Sequence, residues 1–337
     1  MYTILYIVLI GLAGLITYTG VKNKKRNIII TGVAFATLTI FFFWFMNFWG
    51  EKLWFEQNNY LDRFWAEWLT KIVLLIIGLA IGGLLVLLLS TGLPQTKRYQ
   101  RYVAVLFGSL LTGIWWFSRW ETVLLFLNKI PTDITEPILN LNAGFYLFSL
   151  PLLNSLYLNF LYLVIISLAV NIISFLQPSD DQRNIRFNSV DGNYTSFYLS
   201  SGGLFILLAF GKYLNRFELL YSDLGVVAGP GWTDANIRLP MLMVTAIVTF
   251  IFGVLIFLPA FRNMMQQIFG RNKKPSQPAA VVFSAASVFG FWIILLGLIP
   301  FLFQWLKVEP NEITVERPYT ENNITYPRMG IDLEKVA

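Results

Sequence analysis

Eight stretches of this sequence are apolar over about the length that crosses a hydrocarbon bilayer as a helix, roughly 20 residues. They lie near 2–21, 28–49, 69–90, 102–119, 151–176, 198–217, 240–261 and 281–305. Inside lipid every backbone N–H and C=O must find its partner within the protein, and a helix does this within one segment. A membrane β-barrel would alternate apolar and polar residues. The run from Lys71 through Ile72, Val73, Leu74 and Leu75 does not alternate. The expected fold is therefore all-α, a polytopic transmembrane helix bundle of about eight spans. Seven is the alternative, because 102–119 ends in Trp115, Trp116 and Arg119, and 198–217 carries Lys212 and Arg216.

Composition closes off the soluble readings. Of the residues 56% are hydrophobic and 13% charged, against roughly a quarter charged in an ordinary soluble domain. Cysteine and histidine are both absent. That removes thiol nucleophiles, disulfides, Cys/His zinc sites and any His-based triad. No phosphate-binding or dinucleotide glycine loop and no nucleophile elbow occurs, so no cofactor is expected and an enzyme is the lesser expectation.

Charge orients the spans. With the N-terminus outside and eight crossings, the inner loops are 22–27, 91–101, 177–197 and 262–280. They hold 13 of the 25 basic residues, among them Lys22, Lys24, Lys25, Arg26, Arg271, Lys273 and Lys274. They hold 3 of the 19 acidic ones, Asp180, Asp181 and Asp191. Positive loops stay cytoplasmic, so both termini are expected on the extracytoplasmic side of the cell membrane. The first span has its charge after the apolar run, which fits an uncleaved helix. The short basic clusters predict contact with the lipid bilayer through anionic lipid heads, and no nucleic-acid partner.

Between the spans, Trp54, Leu61, Trp65 and Trp68 share one face if 50–68 is helical, which predicts an amphipathic helix in the outer interface. Gly78 and Gly82, and Ala286 and Gly290, are spaced for close helix packing. Residues 1–305 form the expected membrane domain. The tail 306–337, with Glu309, Glu312, Glu316, Glu321, Asp332 and Glu334, reads as an extracytoplasmic tail, the start of a truncated outer region that a separate extracytoplasmic chain could complete. The mid-span positions carry no Asp, Glu, Lys or Arg, which weakens a proton-coupled transporter. On the outer side Asp223 and Asp234 flank Gly229–Trp232, with Asn236 beyond, and are the candidate oxygens for a cation. A solvated loop is the plainer reading of the same residues.

Three stretches resemble the uncharacterised protein family 0182, large multi-pass membrane proteins of bacteria and archaea. The first runs from Asn142 to Pro151 and contains Phe145 and Tyr146. The second runs from Tyr213 to Tyr221 and on through Gly231 and Trp232 to Pro240. The third runs from Glu309 through Pro310, Asn311, Glu312, Glu316, Pro318 and Tyr319 to Ile324. The chain departs from the family pattern at Trp232, where Tyr is usual, and at Tyr326-Pro-Arg328. The resemblance implies the membrane topology and no activity.

The leading expectation for function is a non-enzymatic anchor or assembly factor for extracytoplasmic material, and the alternative is a channel or transporter for a neutral or lipid-like substrate. The topology has a direct check. Cysteines introduced singly as Lys24→Cys and Thr320→Cys should react with an impermeant reagent from opposite sides of an intact cell. Labelling of both from one side would overturn the orientation.

Overall fold

The computed structural model describes residues 2–93, 98–132, 134–178, 185–187, 194–222, 228–269 and 278–330. The chain is an all-α helix bundle, with one short hairpin of two three-residue strands among the described residues. Two compact units divide at 70/71, inside the third helix.

In residues 1–70, α1 (Tyr2–Lys22) and α2 (Arg26–Gln57) form a hairpin. The turn between them holds Lys24 at a positive φ of 52°. The helices touch where side chains are smallest. A Cβ added at Gly32 would sit 2.7 Å from the Thr17 nitrogen, and one at Gly20 would sit 2.7 Å from that of Ile29. At the far end Phe48, Phe55, Phe64 and Trp68 pack ring against ring around the buried Phe64.

This end corrects one expectation. Residues 50–68 are not a separate interfacial helix. Gly50–Gln57 is the last part of α2, a turn follows with Asn59 at φ 60°, and α3 (Leu61–Leu89) begins at Leu61. The turn breaks the single face that the Trp spacing suggested. The aromatic residues instead cluster across the two helices that the turn joins.

In residues 71–337 the rest of α3 is followed by α4 (Arg98–Ser118), α5 (Trp120–Leu127) and α6 (Leu150–Phe175). The strands β1 (Leu176–Pro178) and β2 (Ile185–Phe187) pair antiparallel with Gln177 opposite Arg186. Then come α7 (Thr195–Glu218), α8 (Leu239–Phe257), α9 (Pro259–Phe269), α10 (Ala279–Trp292), α11 (Ile299–Phe303) and α12 (Glu312–Gly330). Residues 278–330 form one unbroken helical run, since π and 3₁₀ turns join α10, α11 and α12.

Among the described residues seven helical segments are long and apolar enough to cross a membrane: Thr3–Lys22, Arg26–Gln57, Leu61–Leu89, Phe145–Phe175, Thr195–Tyr221, Asp234–Phe257 and Ala279–Met329. The helix α4 is not among them. It nevertheless lies antiparallel along both neighbours. Against α3 its contacts run from Arg101 with Leu87 to Phe117 with Lys71. Against α6 they run from Gln100 with Ser174 to Trp116 with Asn159.

The polarity of the bundle is inverted relative to a protein packed in water. Large apolar side chains such as Ile76, Leu84, Leu106, Ile114, Ile173 and Ile293 face outward. Ser155, Asn159, Ser167, Asn171, Ser174, Ser200, Thr245, Thr249 and Ser284 are buried. This suits a hydrocarbon surround, where helices gain little by hiding leucine and associate through close backbone contact and polar bonds. Asn171 Nδ2 donates to Ser200 Oγ at 2.9 Å and to the Leu89 carbonyl at 3.3 Å, tying α6 to α7 and α3. Trp292 Nε1 donates to Thr249 Oγ1 at 3.0 Å, tying α10 to α8. Gly78 and Gly82 do provide close packing, as their spacing predicted, with Thr112 and Gly108 of α4 against them. Gly290 does not: the space beside it is open.

Among the described residues three helical segments contain four π turns, and each turn ends two residues before a proline. The turns are Phe145–Ser149 before Pro151, Asp234–Arg238 before Pro240, Ile293–Leu298 before Pro300, and Gln304–Val308 before Pro310. In each case the residue directly before the proline donates its N–H to the carbonyl five residues back: Leu150 to Phe145, Leu239 to Asp234, Ile299 to Ile294, and Glu309 to Gln304. A proline ring presses on the carbonyl four residues before it and supplies no N–H. Widening the helix by one residue relieves both problems. Spans expected to begin at Pro151 and Pro240 therefore start earlier, at Phe145 and Asp234.

Gly82→Leu should force α3 and α4 apart, because a Cβ there already falls 2.6 Å from Thr112 Oγ1. Overpacking of this kind costs about 1–3 kcal/mol. Thermal unfolding in detergent should show a lowered midpoint, whereas Gly290→Leu should leave it nearly unchanged.

Candidate functional site

The three stretches that resembled a family meet at one end of the 71–337 unit. From the first, Asn142 organises the loop before α6. Its side-chain carbonyl accepts from Gly144 N at 2.8 Å and Thr132 Oγ1 at 2.9 Å, and its amide donates to the Thr132 carbonyl. Backbone bonds from Glu136 N to Leu141 O and from Ala143 N to Ile134 O close that loop into a tight arch. Phe145 then packs on the Phe217 ring of α7 at 4.9 Å.

At the tip of the arch stands Glu136, which is fully buried. Its two oxygens accept the backbone N–H groups of Ile138 at 2.5 Å and Leu139 at 2.6 Å. The Tyr146 hydroxyl lies 3.4 Å from Oε2. Such a carboxylate caps its own turn, as short polar side chains do when they replace missing helix partners.

The second stretch meets the third. Both oxygens of Glu316, on α12, accept from the backbone N–H of Trp232, at 3.1 and 3.0 Å. Asn236 Nδ2 donates to the Tyr319 hydroxyl at 2.7 Å, and Asn323 Nδ2 donates to the Pro230 carbonyl at 3.3 Å. Gly229 has φ +132° and no room for a Cβ, because the Asn323 amide occupies that space. Lys307 places its ammonium 4.0 Å from the centre of the Trp232 ring, a cation–π contact. One segment, 229–236, is thus clamped along α12 by side-chain and backbone bonds.

Between the arch and α12 lies a cavity of about 460 Å³. Glu136, Tyr146, Leu220, Pro230, Asn323 and Tyr326 are among the residues that line it. Most of the wall is apolar, and among the described residues that line it none is basic. The volume falls within the range of small-molecule sites, roughly 300–1,000 Å³.

The expected cation site takes a different form. Asp223 lies outside the described residues. Asp234 is 2% exposed and its oxygens are already engaged: Oδ1 by Arg238 at 2.9 Å, and Oδ2 by the Gly231 N–H at 3.3 Å. It fixes the turn before α8 rather than offering open oxygens to a metal. Among the described residues no three acidic side chains gather in a way that could hold a metal ion. Asn236 is spent on Trp232 and Tyr319.

Of the other motif positions, Tyr146, Glu316 and Tyr319 belong to this end of the molecule by direct contact. Pro151, Pro240, Pro310 and Pro318 are exposed, and the first three act on the backbone through the π turns before them. Asn311 and Glu312 are exposed and bring no side chain to the cavity. Sequence reasoning missed Glu136 and gave no role to Asn142, Asn323 or Tyr326, although all three fall in or beside the family-like stretches. Glu136 carried the one usable signal, an acid flanked by Ile134 and by Pro137, Ile138 and Leu139, an odd setting for a solvated loop.

Glu316→Ala removes the acceptor of the Trp232 N–H. The site is half-buried, and a bond of this kind contributes about 1 kcal/mol net. Trypsin should then cut faster after Arg328, while Glu312→Ala should leave the cleavage rate as it is.

The sequence matches the uncharacterised protein family UPF0182 over residues 28–337, so the match runs on through the tail. A UPF0182 protein of Trichlorobacter lovleyi is 33% identical over 250 residues, covering 72% of this chain and 26% of the relative. One from Synechococcus sp. (strain JA-2-3B'a(2-13)) is 29% identical over 302 residues, covering 86% of this chain and 35% of the relative. One from Clostridium tetani is 24% identical over 336 residues, 93% of this chain and 36% of the relative. The chain therefore spans about a quarter to a third of the length of these curated relatives. No solved structure matches. With a match to nearly its whole length, the chain belongs to the uncharacterised protein family UPF0182.

Proposed function

We propose that this chain is a multi-pass protein of the cell membrane that holds extracytoplasmic material through its last helix and performs no chemistry of its own. The observation that carries the reading is the unbroken helical run Ala279–Met329, 51 residues long. At 1.5 Å per residue it reaches about 75 Å, whereas the hydrocarbon layer is about 30 Å thick. Its second half, α12, stands beyond the apolar part and is clamped by segment 229–236. A helix held along its length in this way is suited to carrying a load. Ile313 on that helix is 90% exposed, an apolar side chain open to a separate extracytoplasmic chain.

The charge pattern supports both termini outside and anionic lipid heads against the inner basic loops. An even number of crossings requires α4 to cross as well. Its antiparallel course along α3 and α6 supports eight crossings. A second reading, passage of a neutral or lipid-like solute, draws on the buried seam of Ser167, Asn171, Ser174 and Ser200. In that seam Asn171, Ser174 and Ser200 are spent on helix-to-helix bonds and Ser167 on a carbonyl of its own helix, which favours the anchor.

A photo-crosslinking residue at position 313 in living cells should capture a discrete extracytoplasmic partner, and one at position 7, on the apolar outside of α1, should not. Purified chain in liposomes should pass no neutral solute. Absence of any adduct from 313 combined with saturable flux would replace the anchor with the transporter.

A further inference from the structure

We infer that a second cavity, beside the Glu218 end of α7, is a binding site for a phosphodiester group, with a membrane phospholipid as its source. This goes beyond the anchor reading, which needs no ligand there. The cavity holds about 370 Å³ and lies among α7, the π turn before α8 and the π turn after α10. Two cationic side chains line it, Lys212 and Arg238, and both are within reach of a ligand. Arg238 keeps 33% of its side chain exposed and gives one N–H to Asp234 Oδ1 at 2.9 Å. A guanidinium has further N–H groups in the same plane to offer an anion. Lys212 is half-buried, with its ammonium 4.1 Å from the centre of the Trp292 ring. That contact positions the cation without neutralising it. Asn215 stands one turn on from Lys212 on the same face of α7 and also lines the cavity. Among the described residues its amide has no hydrogen-bond partner.

The setting specifies the anion. The apolar run 204–210 of α7 ends two residues before Lys212. The two cations therefore stand where hydrocarbon gives way to polar surroundings, which in a bilayer is the level of the head groups. Leu242 and Leu296 complete the wall and suit a ligand with a hydrocarbon part. Glu218 lines the cavity too and is exposed, with Oε1 accepting from Asn154 Nδ2 at 3.3 Å. Its charge, together with that of Asp234 on Arg238, favours an anion that carries one negative charge over one that carries two. A phosphate monoester is close to doubly charged at neutral pH, whereas a diester is singly charged. The two free oxygens of the diester accept from Lys212 and Arg238, with the Asn215 amide as a third donor.

The test uses the full chain in a non-ionic detergent, with thermal unfolding read against added dioleoylphosphatidylglycerol and, as the phosphate-free match, dioleoylglycerol. Ligand binding to the folded state raises the midpoint in a saturable way. The phospholipid should do so and the diacylglycerol should not. Lys212→Met should weaken the response by about tenfold or more, and Lys212→Arg should keep it. Asn215→Leu breaks no hydrogen bond among the described residues and should weaken the response about fivefold. Glu218→Gln should strengthen it, because the carboxylate opposes the anion. Asp223 lies outside the described residues, and Asp223→Asn should leave the response in place or strengthen it for the same reason. Equal shifts with both lipids would overturn the site. So would an unchanged response in Lys212→Met or, should that variant not fold, in Asn215→Leu, and so would loss of the response in Asp223→Asn. Soluble glycerophosphoglycerol separates the sources: no shift with it upholds the membrane lipid, and a shift equal to that of phosphatidylglycerol would overturn the lipid as the source.

Discussion

The helices of the 71–337 unit meet through glycine, serine, threonine and asparagine, and the rest of the arrangement depends on that choice. Where an apolar helix stands in hydrocarbon, a leucine gains almost nothing by moving to the protein interior, and small residues let backbones approach. Gly78, Gly82 and Gly108 let α3 and α4 touch backbone to backbone. Asn171 then supplies directional bonds, to Ser200 Oγ and the Ser196 carbonyl, that fix the register of α6 against α7. The same economy shows at the cavity end. Gly229 exists there because the amide of Asn323 needs the volume that a side chain would take.

The helical spans were readable because their signal is collective. Twenty apolar residues in a row outweigh any local exception, and the charge that flanks them repeats from loop to loop. Spans near 28–49, 69–90 and 198–217 fall within helices of the structure, while that near 2–21 coincides with α1. Errors appeared where one residue type carries two meanings. Pro151 and Pro240 looked like helix starts, since proline is welcome in a first turn. Here each lies within a helix that has widened to admit it. The aromatic residues of 50–68 kept a helical spacing by coincidence across a turn, and only Asn59, in a left-handed conformation that Asn tolerates, hinted at the break.

The candidate site was half legible. Motif residues Tyr146, Glu316 and Tyr319 were singled out from sequence, and they do converge, although 170 or so positions separate the first from the others. Their partners were not legible, because the partners are largely backbone. Glu316 takes the N–H of Trp232, and Asn323 takes the carbonyl of Pro230. Nothing in the identity of a residue announces that its main chain will be the contact. Asp234 was misread for a related reason. Its neighbour Arg238 lies one helical turn away, and a π turn still brings the two to 2.9 Å.

The widened turns have an effect that reaches past their own bonds. Each holds one residue more than a regular α-helix would need for the same path. Loss of a single residue there can therefore be taken up by closing the turn to a regular α turn, whereas in a regular helix the same change would rotate everything that follows by about 100° about the axis. Two such turns lie in series between Trp292 and α12. They let the number of residues between Trp292 and α12 change while the face of α12 that meets segment 229–236 stays in register.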